Sequence, residues 1–234
     1  MSENSNFITY LRVSPKKLGI YLFDINNSED LYRQEVEYED EISDGDFIHL
    51  NNFLEDNIFK IEKLIGEFIK NLFLVIDSKK ILNLKIGIKK KNYKGSVDKE
   101  FLQNMLVDVK DLFQENYRNE KIMHMLINKY IYDDKSYNLF ENNLFTDIFC
   151  IEVQFKSISN VFASQIEKSL QKYQITISKY LDGHYIQNYF KDQSYDFSKM
   201  SYKIQSGCNQ NEVLLIPKSS KKRGFFEKFF QLFG

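Results

Sequence analysis

The stretch IFCIEVQFKSI, residues 148–158, alternates between apolar and polar side chains along its length. Successive side chains of a β-strand point to opposite faces of the sheet, so a period of two residues is typical of a strand with one buried face. The pattern therefore predicts a strand whose core-facing residues are Phe149, Ile151, Val153 and Phe155. Its other face would carry Cys150, Glu152, Gln154 and Lys156.

A helical pattern upstream supplies a partner for this apolar face. Asp98 suits an N-cap, because its side chain can accept a hydrogen bond from a free backbone N–H of the first helical turn. Apolar residues then recur at spacings of three and four, which predicts one buried helix face. We expect that face to pack on the strand of residues 148–158, and its members are Leu102, Met105, Leu106, Val109, Leu112 and Phe113.

The rest of the chain alternates between strand-like and helix-like patterns. Further strands are predicted at residues 7–13, 17–24, 31–38, 71–77, 81–91, 121–133, 175–178 and 212–217. Further helices are predicted over residues 50–68, with a break near Asp56 left open, from Asn160 to Leu170, and around Ile186 and Met200. Because strands and helices interleave throughout, the fold class is predicted to be mixed α/β.

Composition and charge favour a globular protein and give no sign of a nucleic-acid-binding, disulfide-rich or membrane-spanning one. With 43% hydrophobic and 28% charged residues, the chain is typical of a globular protein. A net charge of −1 carries no signature of nucleic-acid binding, so no nucleic-acid partner is expected. The two cysteines make no disulfide framework, the N-terminus lacks signal-peptide features, and no apolar stretch approaches the ~20 residues that span a bilayer. The chain is predicted to be cytosolic unless its C-terminus attaches it to a membrane.

Two local charge runs are interpreted as solvated surfaces. Residues 35–46 contain seven acids, which favours a surface hairpin or loop. Residues 85–94 contain five lysines, and their alternation indicates a strand with one exposed face. This lysine run lacks the interleaved aromatic and arginine side chains that nucleic-acid platforms use for stacking and base reading.

The sequence offers few candidates for catalytic residues. Neither a P-loop nor a dinucleotide-binding glycine pattern is present, and the nine glycines are scattered. The three histidines are far apart in sequence, and the two cysteines lack the spacing of metal ligands. Cys150 and His124, on neighbouring predicted strands, are the one hint of a nucleophile–base pair, and a core or surface role is the stronger interpretation for both. We therefore predict no catalytic residue, no cofactor and no metal.

The C-terminal sequence KKRGFFEKFFQLFG, residues 221–234, combines cations with large aromatic side chains. From Lys218 onward there are five cations and one glutamate, so this segment carries +4 and the preceding residues carry −5. Drawn as a helix, it has an aromatic face and a polar face, which with a basic collar is typical of proteins that lie on anionic membranes. The alternative is docking on the rest of the chain or in a partner's groove. The predicted membrane-binding residues are Lys221, Lys222, Arg223, Phe225, Phe226, Phe229, Phe230, Leu232 and Phe233.

Residues 121–190 resemble the bacterial cell-division protein family FtsA. In that family a strand with the pattern H-x-I-P-x-x-Y-x-V-D-G leads through a loop to L-E-V-x-V-H, a helix and G-L-x-V. The matching pieces of this chain are His124, Tyr130 to Asp133, Ile151 to Val153, and Tyr173 to Ile177. Upstream, residues 61–113 are similar to the family's helix, two strands and helix. The resemblance implies an actin-like lobe with an inserted subdomain of the strand–helix–strand–strand (SHS2) type.

The chain departs from this family at the first strand pair. FtsA proteins carry a D-I-G-[ST]-[ST]-K phosphate loop there, and this chain has RVSPKK, residues 12–17. Arg12 stands in place of the metal-associated aspartate, Ser14 in place of the glycine and Pro15 in place of a hydroxyl residue. The sequence between Phe190 and the tail is also too short for the family's second nucleotide-binding half. The departures imply a reduced relative that binds no nucleotide.

The predicted organisation has three parts: a remnant actin-like (ribonuclease-H-like) lobe of residues 1–53 with 176–217, an SHS2-like subdomain of residues 54–175, and a basic linker with an amphipathic membrane-targeting helix at residues 218–234. The resemblance implies a non-enzymatic division adaptor, peripheral at the cytoplasmic face of the inner membrane. Its partners would be anionic lipid and division-ring or late division proteins, with self-association also considered. The alternatives are an actin-like assembly platform of a type IV pilus or secretion system, and a residual nucleotide-binding ATPase.

Overall fold

The computed structural model describes residues 6–39, 47–93 and 95–214, and the chain divides into two compact units. The first unit comprises Met1–Ile81 and Ile158–Ser206, and the second comprises Leu82–Ser157 and Gly207–Gly234. The chain leaves the first unit after Ile81 and returns to it at Ile158. The second unit is therefore an insertion between two elements of the first.

The described residues form nine strands and five helices. The strands are β1 (Phe7–Val13), β2 (Lys17–Asp24), β3 (Glu29–Glu37), β4 (Asn71–Ile76), β5 (Leu82–Lys91), β6 (Glu120–Tyr132), β7 (Lys135–Tyr137), β8 (Ile148–Ser159) and β9 (Thr176–Asp182). The helices are α1 (Ile48–Ile65), α2 (Lys99–Asn116), α3 (Asn160–Gln171), α4 (Gly183–Tyr189) and α5 (Phe197–Gln205). The predicted mixed α/β class is confirmed, and the predicted C-terminal helix lies outside the described residues.

The first unit is built on a five-stranded sheet with the order β3-β2-β1-β4-β9. β1, β2 and β3 are antiparallel neighbours, whereas β4 runs parallel to both β1 and β9. β2 is almost wholly buried, in keeping with its continuous apolar run. Because β1, β4 and β9 run in the same direction, their C-terminal ends lie at the same end of the sheet.

Helix α1 contributes one apolar face to the core of the first unit. Its buried apolar residues recur at helical spacing and are Leu50, Phe53, Leu54, Ile58 and Ile61. Gly66 ends the helix in the left-handed conformation, with φ of 73°, and its backbone N–H donates to the Glu62 carbonyl. The helix is continuous through Asp56. It ends earlier than the predicted range of residues 50–68, whose last apolar residue, Phe68, lies beyond Gly66 and is 79% exposed.

The second unit pairs a four-stranded sheet, in the order β5-β8-β6-β7, with helix α2. The predicted cap is present, since Asp98 Oδ1 accepts a hydrogen bond from the Phe101 backbone N–H at 2.8 Å. The predicted apolar face of β8 is fully buried in one cluster with the face of α2, and the Phe113 and Phe155 rings stack 4.4 Å apart. Leu112 is an exception: it is 43% exposed, because it lies at the margin of the helix face that Phe113 fills.

The boundaries of the two compact units differ from the domain boundaries expected from the sequence. The SHS2-like subdomain was predicted to span residues 54–175, but residue 54 lies inside α1, which belongs to the first unit with β4 and α3. β4 is part of the first unit, because it pairs in parallel with β1 on one side and with β9 on the other. The inserted unit is therefore the shorter segment Leu82–Ser157, joined by residues that follow α5.

Candidate functional site

The turn between β1 and β2 is held in shape by its own hydrogen bonds. The Ser14 backbone N–H and its hydroxyl both donate to the Lys17 carbonyl, at 2.9 and 3.0 Å. Pro15, at the turn, has no backbone N–H to offer a ligand. This turn lies where the FtsA resemblance would put a phosphate loop, and both hydrogen-bond donors of Ser14 are used within the turn.

Asp77 is brought beside this turn by the parallel pairing of β4 with β1. Its backbone N–H donates to the Val13 carbonyl at 2.9 Å, which continues the ladder one residue beyond β4. Its carboxylate Oδ2 lies 2.6 Å from the Arg12 Nε, and the side chains of Arg12 and Asp77 are only 14% and 5% exposed. The Arg12 guanidinium also lies 4.1 Å from the centre of the Phe197 ring. The structure thus gives the buried carboxylate a cation from the same chain.

The second oxygen of this carboxylate faces the start of α4. Among the described residues Asp77 Oδ1 has no hydrogen-bond partner, and the His184 Nδ1 lies 4.0 Å away. A Cβ atom at Gly183 would come within 2.0 Å of Asp77 Oδ1, so this close approach requires glycine. Asp182 caps α4 by accepting hydrogen bonds from the His184 and Tyr185 backbone N–H groups, at 2.9 and 3.2 Å. The ends of β1, β4 and β9 therefore form one polar cluster.

Lys17, the other cation next to the turn, is paired with acids of β3. Its Nζ lies 3.0 Å from Glu35 Oε2 and 3.3 Å from Glu37 Oε1. Burial works against ionisation of Glu35, but hydrogen bonds from Tyr21, Lys17 and Arg33 outweigh it and lower the pKa of Glu35 to about 2. The cations on both sides of the turn therefore already have carboxylate partners.

The space beside the turn is small. A cavity of about 40 Å³ lies there, lined mainly by apolar side chains that include Val13, Pro15, Leu18, Leu50 and Ile76. Small-molecule pockets usually measure some 300–1,000 Å³. In the first unit this depression has room for about one water molecule.

A second cluster fixes the segment that follows α5 onto the second unit. The His124 Nδ1 lies 2.8 Å from Glu212 Oε1, and both side chains are at most 1% exposed. The backbone of this segment pairs with β6, because the Ile127 N–H donates to the Asn211 carbonyl and the Val213 N–H donates to the Met125 carbonyl, both at 2.8 Å. The predicted strand of residues 212–217 is thus a short pairing at Glu212 and Val213, and its later part lies outside the described residues.

The nine predicted membrane-binding residues, from Lys221 to Phe233, also lie outside the described residues. Within residues 6–39, 47–93 and 95–214, no helix is long and apolar enough to cross a bilayer. In the same part of the chain, His, Cys, Asp and Glu side chains do not gather in the groups of three or more that could hold a metal ion.

Sequence reasoning identified Arg12, Ser14 and Pro15 but missed their partners. Asp77, directly after β4, and Gly183, at the start of α4, are separated in sequence by the whole inserted unit, so no local pattern connects them. A weak signal was present, since the predicted strand of residues 71–77 ends in Asp77, and Asp182, followed by Gly183, comes four residues after the predicted strand of residues 175–178. Glu212 was assigned to a strand without a role, although an acid in an apolar strand suggests a buried partner.

Comparison with known proteins finds similarity in the fold. No protein-family model and no curated protein sequence matches the chain. A chain of the PilM–PilN type IV pilus biogenesis complex matches with a TM-score of 0.50 and 9% identity, over 80% of this chain and 50% of that one. The cytoplasmic domain of EpsL, an inner membrane component of the type II secretion system of Vibrio cholerae, matches with a TM-score of 0.36 and 8% identity, over 77% and 57%.

A third match is a protein of unknown function from Bacteroides thetaiotaomicron with an actin-like ATPase fold, with a TM-score of 0.31 and 14% identity, over 80% of this chain and 56% of that one. This chain therefore spans 50–57% of the length of these three proteins. It is a mixed α/β protein with two sheets, and the solved structures it matches are of the actin-like ATPase fold. FtsA membership stays a prediction from the sequence.

Proposed function

We propose that this chain is a protein-binding adaptor with an actin-like lobe that works without bound nucleotide, attached by its C-terminal tail to the cytoplasmic face of the inner membrane. The observation that carries the proposal is the buried Arg12–Asp77 ion pair at the turn between β1 and β2. In the FtsA family the corresponding turn would bind phosphate. Here the cations next to the turn, Arg12 and Lys17, are paired with carboxylates of the same chain.

The proposal that nucleotide does not bind rests on what a triphosphate would have to displace. Freeing Arg12 for a phosphate would leave Asp77 as a buried carboxylate without a counter-charge, which typically costs about 3–5 kcal/mol. Freeing Lys17 would break its contacts with two glutamates. Pro15 offers no N–H in return. An anion would therefore weaken the turn that was to hold it.

Membrane attachment is proposed from the sequence of the tail. Fully burying a Phe side chain contributes roughly 1.5–3 kcal/mol, and an interfacial helix buries its rings in part. Each cation close to an anionic leaflet adds about 1 kcal/mol. These terms favour a peripheral position of the protein on the membrane surface.

Two assemblies are candidates for the partner. The FtsA resemblance of residues 121–190 favours a division adaptor that recruits division-ring or late division proteins. The fold similarity to a chain of the PilM–PilN complex favours the second candidate, a platform of a type IV pilus or secretion system. Both candidates use the chain as a scaffold for a protein partner.

Nucleotide titration tests the central claim. Isothermal titration of the full chain with Mg-ATP is expected to show no binding up to millimolar nucleotide. The matched variant Asp77→Asn removes the carboxylate that holds Arg12, and it should not bind either, because Pro15 and Ser14 remain. Micromolar binding by the wild type would refute the proposal and restore the residual ATPase as the leading function.

Imaging and co-purification separate the two assemblies. A fluorescent fusion of the full chain is expected at midcell, and division proteins should co-purify with it. Deleting Gly224–Gly234 should disperse the fluorescence if the tail is the anchor. Localisation with pilus or secretion components, and their recovery in place of division proteins, would favour the second candidate.

A further inference from the structure

Strand β5 forms an open edge of the sheet in the second unit. Among the described residues it pairs with β8 on one side, in an unbroken antiparallel register from Leu82↔Ser157 to Lys91↔Ile148, and it ends the strand order on the other. It contains ten residues and no proline, and its side chains alternate regularly between half-buried and exposed. Long regular edges of this kind are templates for another strand.

The register fixes which backbone groups of β5 point to the open edge. One residue beyond the strand, the Asn92 N–H donates to the Asp147 carbonyl at 2.8 Å, and this pair continues the register of Lys91 with Ile148. In an antiparallel pair, residues that bond to the partner strand alternate with residues whose N–H and C=O point away from it. The even-numbered residues of β5 therefore bond to β8, and the backbone groups of the odd-numbered residues point to the open edge. The odd-numbered residues are Asn83, Lys85, Gly87, Lys89 and Lys91.

The hydrophobic core of the second unit is incompletely covered along this edge. Lys90 of β5 pairs with Asp108 of α2, and Leu112, one turn further along the same side of that helix, is 43% exposed. A row of half-buried aliphatic side chains on β5 packs against the same core, and its members are Leu82, Leu84, Ile86 and Ile88. A strand added beyond β5 would cover this row with its own alternate side chains.

The opposite face of β5 is basic. Lys85, Lys89 and Lys91 are exposed, and the strand contains no acid. Lys85 lies 3.7 Å from Glu152, whereas Lys89 and Lys91 form no ion pair with any residue that the structure describes. A strand beside β5 would place its own side chains directly opposite these lysines, where opposite charges stabilise a strand pair and like charges destabilise it. The charges therefore favour an acidic strand.

A second copy of β5 does not supply those acids. Antiparallel pairing of two copies about Gly87 would set Lys85 opposite Lys89, and like charges in direct opposition destabilise the pair. No other register sets a lysine opposite a carboxylate, because the strand has none. The strand that fits this edge is therefore a different sequence.

We propose that the β5 edge binds an extended segment of a partner protein in which acidic and apolar residues alternate. The segment adds a fifth strand to the sheet, with its backbone bonded to the odd-numbered residues of β5. Its acids lie opposite Lys89 and Lys91, and its apolar side chains cover Leu84, Ile86 and Ile88. The inference rests on the proposed adaptor function for the existence of a partner protein.

A labelled peptide tests the edge by fluorescence anisotropy, with the full chain in low salt and without membrane or nucleotide. The probe is a peptide as long as β5 in which Glu and Val alternate. A control peptide has the same composition, arranged as a block of Glu followed by a block of Val. The alternating peptide is expected to bind. The block peptide should bind at least about tenfold more weakly, because only alternation puts charge and apolar surface on opposite faces of a strand.

A third peptide, of alternating Lys and Val, separates the proposal from a bland explanation of the lysines. Lysine on an edge strand is a known protection against unwanted pairing. Protection acts against every strand, whereas the proposed edge selects an acidic one. The wild type is therefore expected to bind the Glu–Val peptide and not the Lys–Val peptide, and rejection of both would leave protection as the role of the lysines.

Charge substitutions in β5 locate the site. Lys89→Glu and Lys91→Glu should each weaken binding of the Glu–Val peptide by about tenfold, and the double variant should bind the Lys–Val peptide instead. The matched control Lys168→Glu changes the charge equally on α3 and should have no effect. The basic tail is identical in every variant, so attraction of the peptide to the tail would persist unchanged.

Backbone substitutions at Gly87 test the added strand itself. Gly87→Pro removes an N–H that points to the open edge, at a position where an edge strand tolerates proline, and it should abolish binding with every charge in place. Gly87→Ala keeps this N–H, and its Cβ would meet no atom within 4 Å, so it should bind like the wild type. Urea titration checks that both variants are folded.

Hydrogen exchange gives a readout that needs no variant. In the chain alone, the amides of Lys85, Gly87 and Lys89 should exchange faster than those of their even-numbered neighbours, and the Glu–Val peptide should slow them. No binding of this peptide, equal binding of the block peptide, unchanged affinity in the lysine variants, or unprotected odd-numbered amides in the complex would each overturn the proposal. None of these measurements uses nucleotide or membrane, so the proposed function is tested separately.

Discussion

Replacing Arg12 by methionine tests whether the turn between β1 and β2 is closed by its own ion pair. Methionine keeps most of the apolar stem and removes the guanidinium, which leaves the Asp77 carboxylate 5% exposed and without its counter-charge. Removing one partner of a buried pair costs about 3–5 kcal/mol. Because the Arg12 side chain is 14% exposed, water can reach the site, and we expect a loss of about 3 kcal/mol, at the low end of that range.

A double-mutant cycle shows whether this loss comes from the pair. In Arg12→Met/Asp77→Asn neither charge remains, so the double variant should be more stable than the sum of the two single effects predicts, by at least about 1 kcal/mol. The free energy of unfolding is measured by urea titration, with circular dichroism and tyrosine fluorescence, since the chain has no tryptophan. For a protein of this size a loss of 3 kcal/mol should lower the melting temperature by about 6–12 °C.

The control for this cycle is Lys16→Met, in the same turn. Lys16 is exposed and donates from Nζ to the Glu39 carbonyl, so its loss should change stability by less than about 0.5 kcal/mol. If Arg12→Met is as stable as the wild type, or if the effects of Arg12 and Asp77 simply add, the pair does not hold the turn. The ion pair would then be no obstacle to a nucleotide at this turn.

Four further predictions follow from the same structure and sequence. Gly183→Ala should destabilise the first unit by more than about 1 kcal/mol in urea titration, since its Cβ would meet a buried, ion-paired carboxylate, and an unchanged midpoint would contradict this. Val153→Asp should cost several kcal/mol, because it places an unpaired charge in a fully buried position, and wild-type stability would show a wrong register. The pKa of Glu35 is lowered to about 2, so its contribution to stability is present above its usual pKa near 4.5 and is lost as pH falls toward 2. The difference in unfolding free energy between the wild type and Glu35→Gln should accordingly shrink over that pH range. A difference that persists at pH 2 would show that it does not come from the ionised Glu35 carboxylate. Phe226→Glu should release the full chain from anionic vesicles in flotation assays, and retention would point to a partner's groove as the site of the tail.

The predictable part of the fold is the part set by local periodicity. The apolar face of residues 148–158 and the cap at Asp98 follow from patterns a few residues long, and both are found in the structure. Phe68 fits the helical period of α1 but follows Gly66, which turns the chain out of the helix. Apolar spacing alone could not show that the helix had already ended.

The unpredicted part depends on contacts between distant segments. β4 reads as a strand from its own sequence, but its parallel pairing with β9 joins residues separated by the entire inserted unit. The pairing of β4 with β9 keeps β4 in the first unit and places Gly183 next to Asp77. Residues 12–17 differ from the phosphate loop of the family that the sequence resembles, and only the structure shows that Asp77, directly after β4, neutralises Arg12.

The Arg12–Asp77 pair also stabilises the sheet of the first unit at the C-terminal ends of its parallel strands. The parallel ends of β1, β4 and β9 gather Asp77 and Asp182 at one end of the sheet, and buried carboxylates repel each other unless a cation or hydrogen-bond donor satisfies them. In this chain Asp182 accepts from the first turn of α4, and Asp77 is neutralised by Arg12. Both carboxylates are therefore held by groups of the chain itself. Under the proposed adaptor function, this end of the sheet would keep its structure without a bound nucleotide.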